Sequence, residues 1–392
     1  MTPRPLIEAV SVRKCSDAAT DGRGLHLDIP ALNALALRSL ASLFEEKEKL
    51  FSRCITLTKH GFHREGASRR RTIIALLGLQ RLAESGGDAP VDVASIRDAV
   101  LDDTSWVRTV GDVGLLTWFA AECEPERLGI LLNELDFGRR LNTYSDGREA
   151  STRELAWFLA GIAHARLADR ERLPDLIDVA VDAYHLLQDN QSEGGIFGHA
   201  TSPGFLPQTL CNRFGTFADQ IYAIYALTTF AQAFQIEEPL EAALSCGNAI
   251  RALQGEMGQW WFRYDKRACC VVNRYPVFSL HQDGIAPVGL LALGEATGQS
   301  FHASIYKGLS WTAGANELGC DLRNLDRGLI WDAIGRRNQI ANYWEAALSL
   351  INRSRASQTE GLRVRYEARP DHFGWLLYAF GRFGLPKAAA TS

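Results

Sequence analysis

The sequence predicts an all-α protein, arranged as an (α/α)6-type toroid of sequential antiparallel helical hairpins. Apolar residues recur at helical spacing through most of the 392-residue chain, whereas strand signals are few. Sequential antiparallel helical hairpins fit either a closed ring or an open solenoid. The ring is favoured because strongly apolar helices alternate with amphipathic ones. A helix that is apolar on all faces is buried on all sides, so this alternation predicts an inner ring of buried helices inside a half-exposed outer ring.

The first 30 residues contain prolines and glycines without sustained periodicity, and we predict an extended arm there. A single toroid domain is predicted for residues 31–385, and a disordered tail for residues 386–392. Two short segments, 268–272 and 362–366, are predicted to pair locally as strands without making a sheet. Helices are predicted at 31–47, 68–83 (with Ser68 as N-cap), 91–102, 110–122, 125–137, 151–168, 172–189, 215–234, 237–253, 283–297, 300–313, 338–353 and 371–383.

Acidic residues recur near the start of every second predicted helix. The last four of them lie 65, 64 and 62 residues apart, which is the regularity expected of one hairpin plus its loops. In a double ring the inner helices start at one mouth, where their first-turn residues face one another. The pattern therefore predicts a candidate site at that mouth. The recurring acids are Asp112, Glu154, Asp219, Asp283 and Glu345.

Composition and charge exclude several classes of partner. A net charge of -4 and a pI near 6.2 give no electrostatic footprint for nucleic acid. The run Arg69-Arg70-Arg71 is predicted to be a solvated helix start. Eight scattered cysteines without metal or disulfide spacing are predicted to be free. No apolar segment resembles a signal peptide or a membrane span, so we expect a cytoplasmic protein; its oligomeric state stays open.

Two passages follow the pattern QxxxGx plus an aromatic residue: Gln191 to Phe197, and Gln254 to Trp260. They resemble the QW repeats of terpenoid cyclases and protein prenyltransferases, whose catalytic domain is an α/α toroid. The first passage departs from the repeat by having Phe in place of Trp. Six-hairpin glycosidases, sugar epimerases and uronate-processing enzymes are similar to the same double ring. The resemblance implies the toroid superfamily and leaves the chemistry open.

The stretch 258–291 concentrates Trp, Tyr, His and Asp around the non-helical Tyr275-Pro276 step, which is typical of a cleft lining. Carbohydrate chemistry needs two carboxyl groups roughly 5 to 9.5 Å apart across a sugar. We therefore predict that Asp219 and Asp283 share the acid and base roles. His281 would assist or replace one of them near neutral pH. Alternatively, the carboxylates only complement helix dipoles, and His281 is structural.

Aromatic and polar residues near these acids are predicted to bind the substrate, and Arg263 is predicted to hold a carboxylate or phosphate. No phosphate-binding glycine loop, zincin motif or serine-hydrolase motif is present, so we predict neither a cofactor nor a metal. The predicted substrate-binding residues are His199, Gln220, Tyr222, Trp260, Trp261, Arg263, Tyr264, Asp265, Tyr275 and Gln282.

Three hypotheses follow. The first is a carbohydrate-active hydrolase, lyase or epimerase acting on an oligosaccharide or a uronic-acid-containing glycan. The second is an isoprenoid-processing enzyme, because the segment from Val100 to Thr104 resembles the DxDD motif of terpene cyclases with Val replacing the first Asp. Asp102 or an Asp of the inner ring would then donate the proton, unless the segment is an exposed helix end. A prenyltransferase-like zinc set of Asp219, Cys269 and His281 stays open. The third is a non-catalytic helical scaffold.

Overall fold

A computed structural model describes residues 28–145, 151–169, 176–200, 212–336 and 361–386. Helices dominate these ranges, which confirms the all-α prediction. The helices are α1 Ile29–Leu43, α2 Arg69–Ala83, α3 Val93–Leu101, α4 Val110–Cys123, α5 Pro125–Glu134, α6 Phe137–Ser145, α7 Thr152–Ala168, α8 Ile177–Asp189, α9 Phe217–Phe234, α10 Glu238–Ala252, α11 Ala286–Thr297, α12 His302–Thr312 and α13 Pro370–Phe380.

Six of the described helices form a closed inner ring in the order α2, α4, α7, α9, α11 and α13. Each packs on the next, and α13 packs back on α2. A π-helix, Leu280–Ile285, leads directly into α11. Helices α1, α3, α5, α8, α10 and α12 pack outside α13, α2, α4, α7, α9 and α11, respectively. The predicted double ring of helical hairpins is therefore confirmed.

Glycine contacts allow the inner helices to approach closely. A Cβ added to Gly78 of α2 would lie 2.2 Å from the carbonyl oxygen of Gly374 on α13. The same holds between α4 and α7, where a Cβ on Gly161 would lie 2.2 Å from the carbonyl oxygen of Gly114. Larger residues at these points would push the helices apart. Two seams of the ring thus depend on glycine.

Several predicted boundaries differ from the structure. Helix α1 begins at Ile29, so the predicted arm is too long at its end: Asp28 caps the helix through the Ala31 N–H, and Pro30 sits in the first turn, where a missing N–H costs little. Helix α6 was not predicted. Residues 1–27, the predicted helix 338–353 with Glu345, and the tail residues 387–392 lie outside the described residues.

Short antiparallel sheets form in the segments between the helices. The predicted strands near 268–272 and 362–366 exist, but each belongs to a three-stranded sheet, so the prediction that they make no sheet is wrong. The hairpin of Leu50–Thr58 and Gly61–Ala67 was also missed, since its second strand is exposed at nearly every residue and shows no apolar alternation. The strands are β1 Phe44–Glu45, β2 Leu50–Thr58, β3 Gly61–Ala67, β4 Phe214–Thr216, β5 Arg263–Asp265, β6 Cys270–Asn273, β7 Val277–Phe278, β8 Arg323–Asn324, β9 Leu329–Ile330, β10 Ala333–Arg336, β11 Leu362–Arg365 and β12 Glu367–Ala368.

The two QW-like passages clamp neighbouring outer helices. The Gln191 amide donates to the Gly195 carbonyl at 3.0 Å and to the Ala242 carbonyl on α10 at 2.8 Å. The Gln254 amide repeats this pattern with Gly258 and with Ser304 on α12, both at 2.9 Å. The sequence repeat therefore corresponds to a repeated structural clamp.

Glutamines of the inner ring hydrogen-bond to the aromatic residue at the end of each passage. Gln220 on α9 accepts the Phe197 N–H at 2.7 Å and donates to the Phe197 carbonyl at 2.9 Å. Gln282 in the π-helix accepts the Trp260 N–H at 3.1 Å. Both glutamines are fully buried. Instead of facing a substrate, as predicted, the two amides tie the inner ring to the outer hairpins.

Candidate functional site at the mouth of the toroid

Arg70 organises one half of the mouth where the inner helices begin. This α2 side chain bonds Asp112 of α4 through its Nε and Glu154 of α7 through Nη1, the latter at 2.8 Å. Its Nη2 donates to Thr109, the N-cap of α4. The basic run is therefore not a solvated helix start, because Arg70 neutralises two first-turn carboxylates.

Asp219 sits in the first turn of α9 with no exposed surface. Its Oδ2 accepts the Thr216 N–H at 2.8 Å, and its Oδ1 accepts the Arg153 N–H at 3.2 Å. His199 Nδ1 lies 2.9 Å from Oδ2. Both carboxylate oxygens of Asp219 therefore accept hydrogen bonds from the protein itself. Asp219 influences the mouth only through its hydrogen bond to the imidazole of His199.

His199 is the half-exposed partner in this pair, with 42% of its side-chain surface exposed. Its backbone is held between Phe214 of β4 and Thr152 of α7. The hydrogen bond and charge of Asp219 raise the pKa of His199, while burial, Arg153 and Arg263 oppose that rise. Because Nδ1 faces the carboxylate, Nε2 is the nitrogen left for proton exchange at the mouth.

Asp283 lies in the π-helix with about 1% of its surface exposed. Its Oδ1 is 2.5 Å from Nε2 of His372, in the first turn of α13, whereas Oδ2 has no hydrogen-bond partner among the described residues. π-helical turns often mark functional sites. Sequence reasoning missed His372; the signal available was its place in the first turn of the last predicted helix.

His281 does not titrate near neutral pH, contrary to the prediction. Burial, followed by the positive charges of Arg369 and His372, lowers the pKa of His281 to about 3. The ring lies between Phe217 and Phe278, with centroids 5.0 Å from each. Its Nδ1 has no hydrogen-bond partner among the described residues. His281 is therefore a neutral imidazole buried between two aromatic rings.

Below the first turns, aromatic rings line the inner helices. The Arg153 guanidinium lies 5.1 Å from the Trp157 ring centre, and its Nε has no hydrogen-bond partner in the described ranges. Tyr222, one turn beyond Asp219, packs edge-on against Trp157 at 5.2 Å. Burial raises the pKa of Tyr222, so its phenol stays neutral. A cation and an aromatic surface thus lie next to the His199–Asp219 pair.

Other predicted substrate-binding aromatics serve the scaffold. Trp260 is fully buried and stacks on Phe217 with centroids 5.2 Å apart. Trp261 packs edge-on against Tyr275, whose hydroxyl donates to Glu317 at 2.8 Å. The structure therefore places this aromatic group in the loop core.

The three residues of β5 divide in their surroundings. Tyr264 is fully buried, and Asp265 pairs with Arg213 at 2.5 Å, so both stabilise the small sheet. Arg263 is half-buried, and its charge acts on His199. Of the three, Arg263 alone belongs with the residues at the mouth.

The residues proposed for isoprenoid chemistry lie apart. Asp102 follows the end of α3 with 66% of its side chain exposed and pairs with Arg127 on the surface. Cys269 contacts Ser192 and the Lys266 carbonyl in the outer loops. Within the described residues no three His, Cys, Asp or Glu side chains are grouped so as to hold a metal ion. The structure therefore does not bring together Asp219, Cys269 and His281.

No protein-family model matches this chain, and the curated proteins contain no match. Solved structures match over nearly the whole length. An unsaturated glucuronyl hydrolase specific for heparin is 13% identical, covers 91% of this chain and 96% of its own, and has a TM-score of 0.59. The chain has the same α/α-toroid fold as this hydrolase.

Two further toroids have the same architecture. A sugar epimerase from a ruminal bacterium is 9% identical, with coverage of 91% and 100% and a TM-score of 0.58. A possible GH105 family member from Salmonella enterica is 11% identical, with coverage of 92% and 96% and a TM-score of 0.55. At these identities the likeness establishes the fold alone. In the described parts of this toroid, no helix is both long and apolar enough for a transmembrane segment.

Proposed function

We propose that the protein is a carbohydrate-active enzyme that transfers protons at a sugar bound in the mouth of the toroid. The observation that carries this proposal is the His199–Asp219 pair. A buried carboxylate holds one nitrogen of a half-exposed imidazole and raises its pKa, which suits an acid–base group working near neutral pH. Asp219 is then a positioning residue, and His199 is the catalytic one.

The engagement of both acids favours epimerisation or elimination over hydrolysis. A glycosidase needs two carboxyl groups that reach the glycosidic bond directly. Here Asp219 is saturated by donors, and one oxygen of Asp283 is held by His372. Imidazoles instead suit proton transfer at carbon, with His199 on one side of the mouth and the Asp283–His372 pair assisting from the neighbouring helices.

The cations near His199 favour a uronic acid as the substrate. Arg153 and Arg263 both act electrostatically on His199, and Arg153 has a buried nitrogen without a described partner. A guanidinium matches a carboxylate in charge and shape. In the proposed step, Nε2 of neutral His199 takes the proton from the carbon next to the substrate carboxylate. The electron pair moves onto that carboxylate, where Arg153 and Arg263 stabilise it.

In epimerisation, water donates a proton to the opposite face of the carbon, and the hydroxide left behind takes the proton from His199. In elimination, the bond to the β-oxygen breaks and the leaving oxygen takes up the proton held by His199. Neither outcome needs an oxidant. We also propose a cytoplasmic enzyme, because Cys54 and Cys246 are buried thiols outside any disulfide, and one without nucleic-acid partners, because the net charge is -4.

A second candidate is glycoside hydrolysis with Asp283 as the acid. The observation favouring it is that the buried Oδ2 of Asp283 has no hydrogen-bond partner among the described residues. That oxygen is therefore available to hydrogen-bond with the glycosidic oxygen of a bound sugar.

The test is incubation with uronic-acid and neutral oligosaccharides in D2O, followed by NMR. We expect deuterium at the carbon next to the carboxylate in epimerisation, or a carbon–carbon double bond at that carbon in elimination; either product is lost in His199→Ala and retained in the surface control Asp102→Asn. Cleavage with neither carbon-bound deuterium nor a new double bond would favour hydrolysis. Absence of reaction with both panels, together with thermal stabilisation by a prenyl diphosphate, would overturn the carbohydrate proposal in favour of isoprenoid chemistry. No reaction with any oligosaccharide and no thermal stabilisation by a prenyl diphosphate would favour a non-catalytic scaffold.

A further inference from the structure

A cavity lies at the end of the toroid opposite the mouth, where the inner helices finish. Its volume is about 580 Å³, within the range of about 300 to 1,000 Å³ found for small-molecule sites. The lining residues come from the last turns of α2, α4, α7 and α13 and from α9 and α11. It is therefore separate from the first turns that carry the His199–Asp219 pair.

Polar side chains from different inner helices converge on Glu122 of α4. Its Oε1 accepts from Arg81 Nη2 at 3.1 Å and from the Tyr378 hydroxyl at 2.6 Å. The Tyr225 hydroxyl lies 2.8 Å from that of Tyr378, and His164 Nε2 lies 2.9 Å from Tyr225. Five inner helices thus supply one continuous polar floor.

This floor is incomplete at one atom. Glu122 Oε2 is buried and has no hydrogen-bond partner among the described residues, although Oε1 of the same carboxylate is crowded with donors. A buried acceptor without a donor costs about 1 to 3 kcal/mol, more when it is charged. Glu122 lines the cavity and keeps 12% of its side-chain surface exposed, so a small rotation of the carboxylate would bring Oε2 to a ligand hydroxyl and remove that cost.

The charges around the cavity disfavour an anion. Arg81 pairs with Glu122 and Glu84, and Arg382 pairs with Glu295 at 2.7 Å. Burial lowers the pKa of His164 to about 4, so its ring is neutral at physiological pH. Both arginines that line the cavity are therefore already neutralised by carboxylates. A carboxylate or phosphate would find no uncompensated positive charge on the described lining.

Part of the wall is apolar. Val288 and Leu291 of α11 face the cavity beside Pro287 and Ala292. A sugar ring presents hydroxyl groups at its edge and C–H groups on its faces, so it matches a polar floor beside an apolar wall. Gln232 of α9, an exposed side chain that also lines the cavity, adds one more hydrogen-bonding amide.

We propose that this cavity is a second binding site for a neutral, hydroxyl-rich small molecule of the size of a free monosaccharide. One ligand hydroxyl donates to Oε2 of Glu122, while a ring face lies against Val288 and Leu291. This site is independent of the function proposed for the mouth: it requires no chemistry at His199, and its ligand is a bound effector or released product instead of the reacting sugar.

The test is calorimetric titration of the His199→Ala protein with glucose, galactose and mannose, with glucuronate and glucosamine as anionic and cationic counterparts. We expect saturable binding of a neutral sugar. Leu291→Trp, which fills the cavity, and Glu122→Gln, which replaces the orphan oxygen with a donor, should each weaken binding at least tenfold. Gln232→Trp narrows the cavity without touching the floor and decides the question if the other variants fail to fold.

Three results would overturn this inference: no binding of any neutral sugar, tighter binding of glucuronate or glucosamine that Leu291→Trp abolishes, or neutral-sugar binding that survives both tryptophan variants. Because the tryptophan variants alter only the cavity and His199→Ala prevents turnover, binding at the cavity is measured separately from binding and reaction at the mouth. Failure of either proposal therefore leaves the other standing.

Discussion

In the two halves of the toroid mouth, buried first-turn carboxylates are paired with different residues. On α4 and α7, the first-turn acids Asp112 and Glu154 share the guanidinium of Arg70. On α9 and the π-helix, the equivalent acids Asp219 and Asp283 each hold one histidine, His199 or His372. The acid therefore has the same position in each repeated hairpin, whereas the residue that pairs with it differs between the two halves.

This difference in partner gives the two halves different roles, one in stability and one in proton exchange. A guanidinium stays protonated at every physiological pH, so the Arg70 half is a permanent ion-pair network. An imidazole gains and loses its proton near neutral pH, so the histidine half has a group able to exchange protons with a bound molecule. We therefore expect mutations in the first half to change mainly stability, and mutations in the second to change mainly activity.

The largest effect is expected for His199→Ala. Loss of the exposed imidazole should slow the proposed proton transfer by about 10² to 10⁴-fold, the usual contribution of a general acid or base. The measurement is the rate of deuterium incorporation, with thermal unfolding as the check on folding. A variant that keeps the full rate would remove His199 from the mechanism.

Arg70→Ala should give the next largest effect, and on stability. Removing this guanidinium leaves the buried carboxylates of Asp112 and Glu154 uncompensated, which should lower the free energy of unfolding by about 2 to 4 kcal/mol, allowing for the partial exposure of Arg70. Urea denaturation measures the loss. The matched control is Arg69→Ala, whose partner Asp103 is exposed, and equal losses in the two variants would contradict the network.

Gln220→Ala and Gln282→Ala test whether the residues beside the imidazole-held acids bind substrate or clamp the fold. Each substitution leaves a buried backbone N–H, of Phe197 or Trp260, without its acceptor, so we expect a loss of about 1 to 3 kcal/mol in the free energy of unfolding. Denaturant titration gives the stability, and steady-state kinetics gives KM. A large rise in KM at unchanged stability would restore the predicted substrate-binding role.

The smallest effect is the pH dependence of stability contributed by His199. Asp219 raises the pKa of this group in the folded state, so its stabilising contribution is fully present below the unfolded pKa and is lost as pH rises through the folded pKa. The stability difference between wild type and His199→Gln should therefore be larger at about pH 5 than at about pH 9. Unfolding curves at both pH values provide the measurement, and a difference that grows with pH would reverse the assignment.

The sequence was informative where the signal is periodic. Repeated first-turn acids placed Asp219 and Asp283 on neighbouring inner helices, and alternating apolar and amphipathic runs predicted the double ring. The partner of Asp283 could not be found in this way, because His372 lies 89 residues further along the chain and meets it only when the ring closes. Likewise, His281 lies beside an acid and a loop, as a titrating group would, yet its pKa depends on burial by Phe217 and Phe278.

The packing of α13 against α2 and α1 also has a consequence for how the chain is made. The last inner helix supplies the seam that joins both ends of the ring, so a growing polypeptide remains an open arc until residues 370–380 have been synthesised. Until then, the flank of α2 around Ile74 and Gly78 lacks its partner. A product cut short before α13 would expose this apolar edge to other chains. A circular permutant would have the two chain ends joined through a linker and the chain opened at an outer loop. In such a permutant a different helix would lack its partner until synthesis is finished.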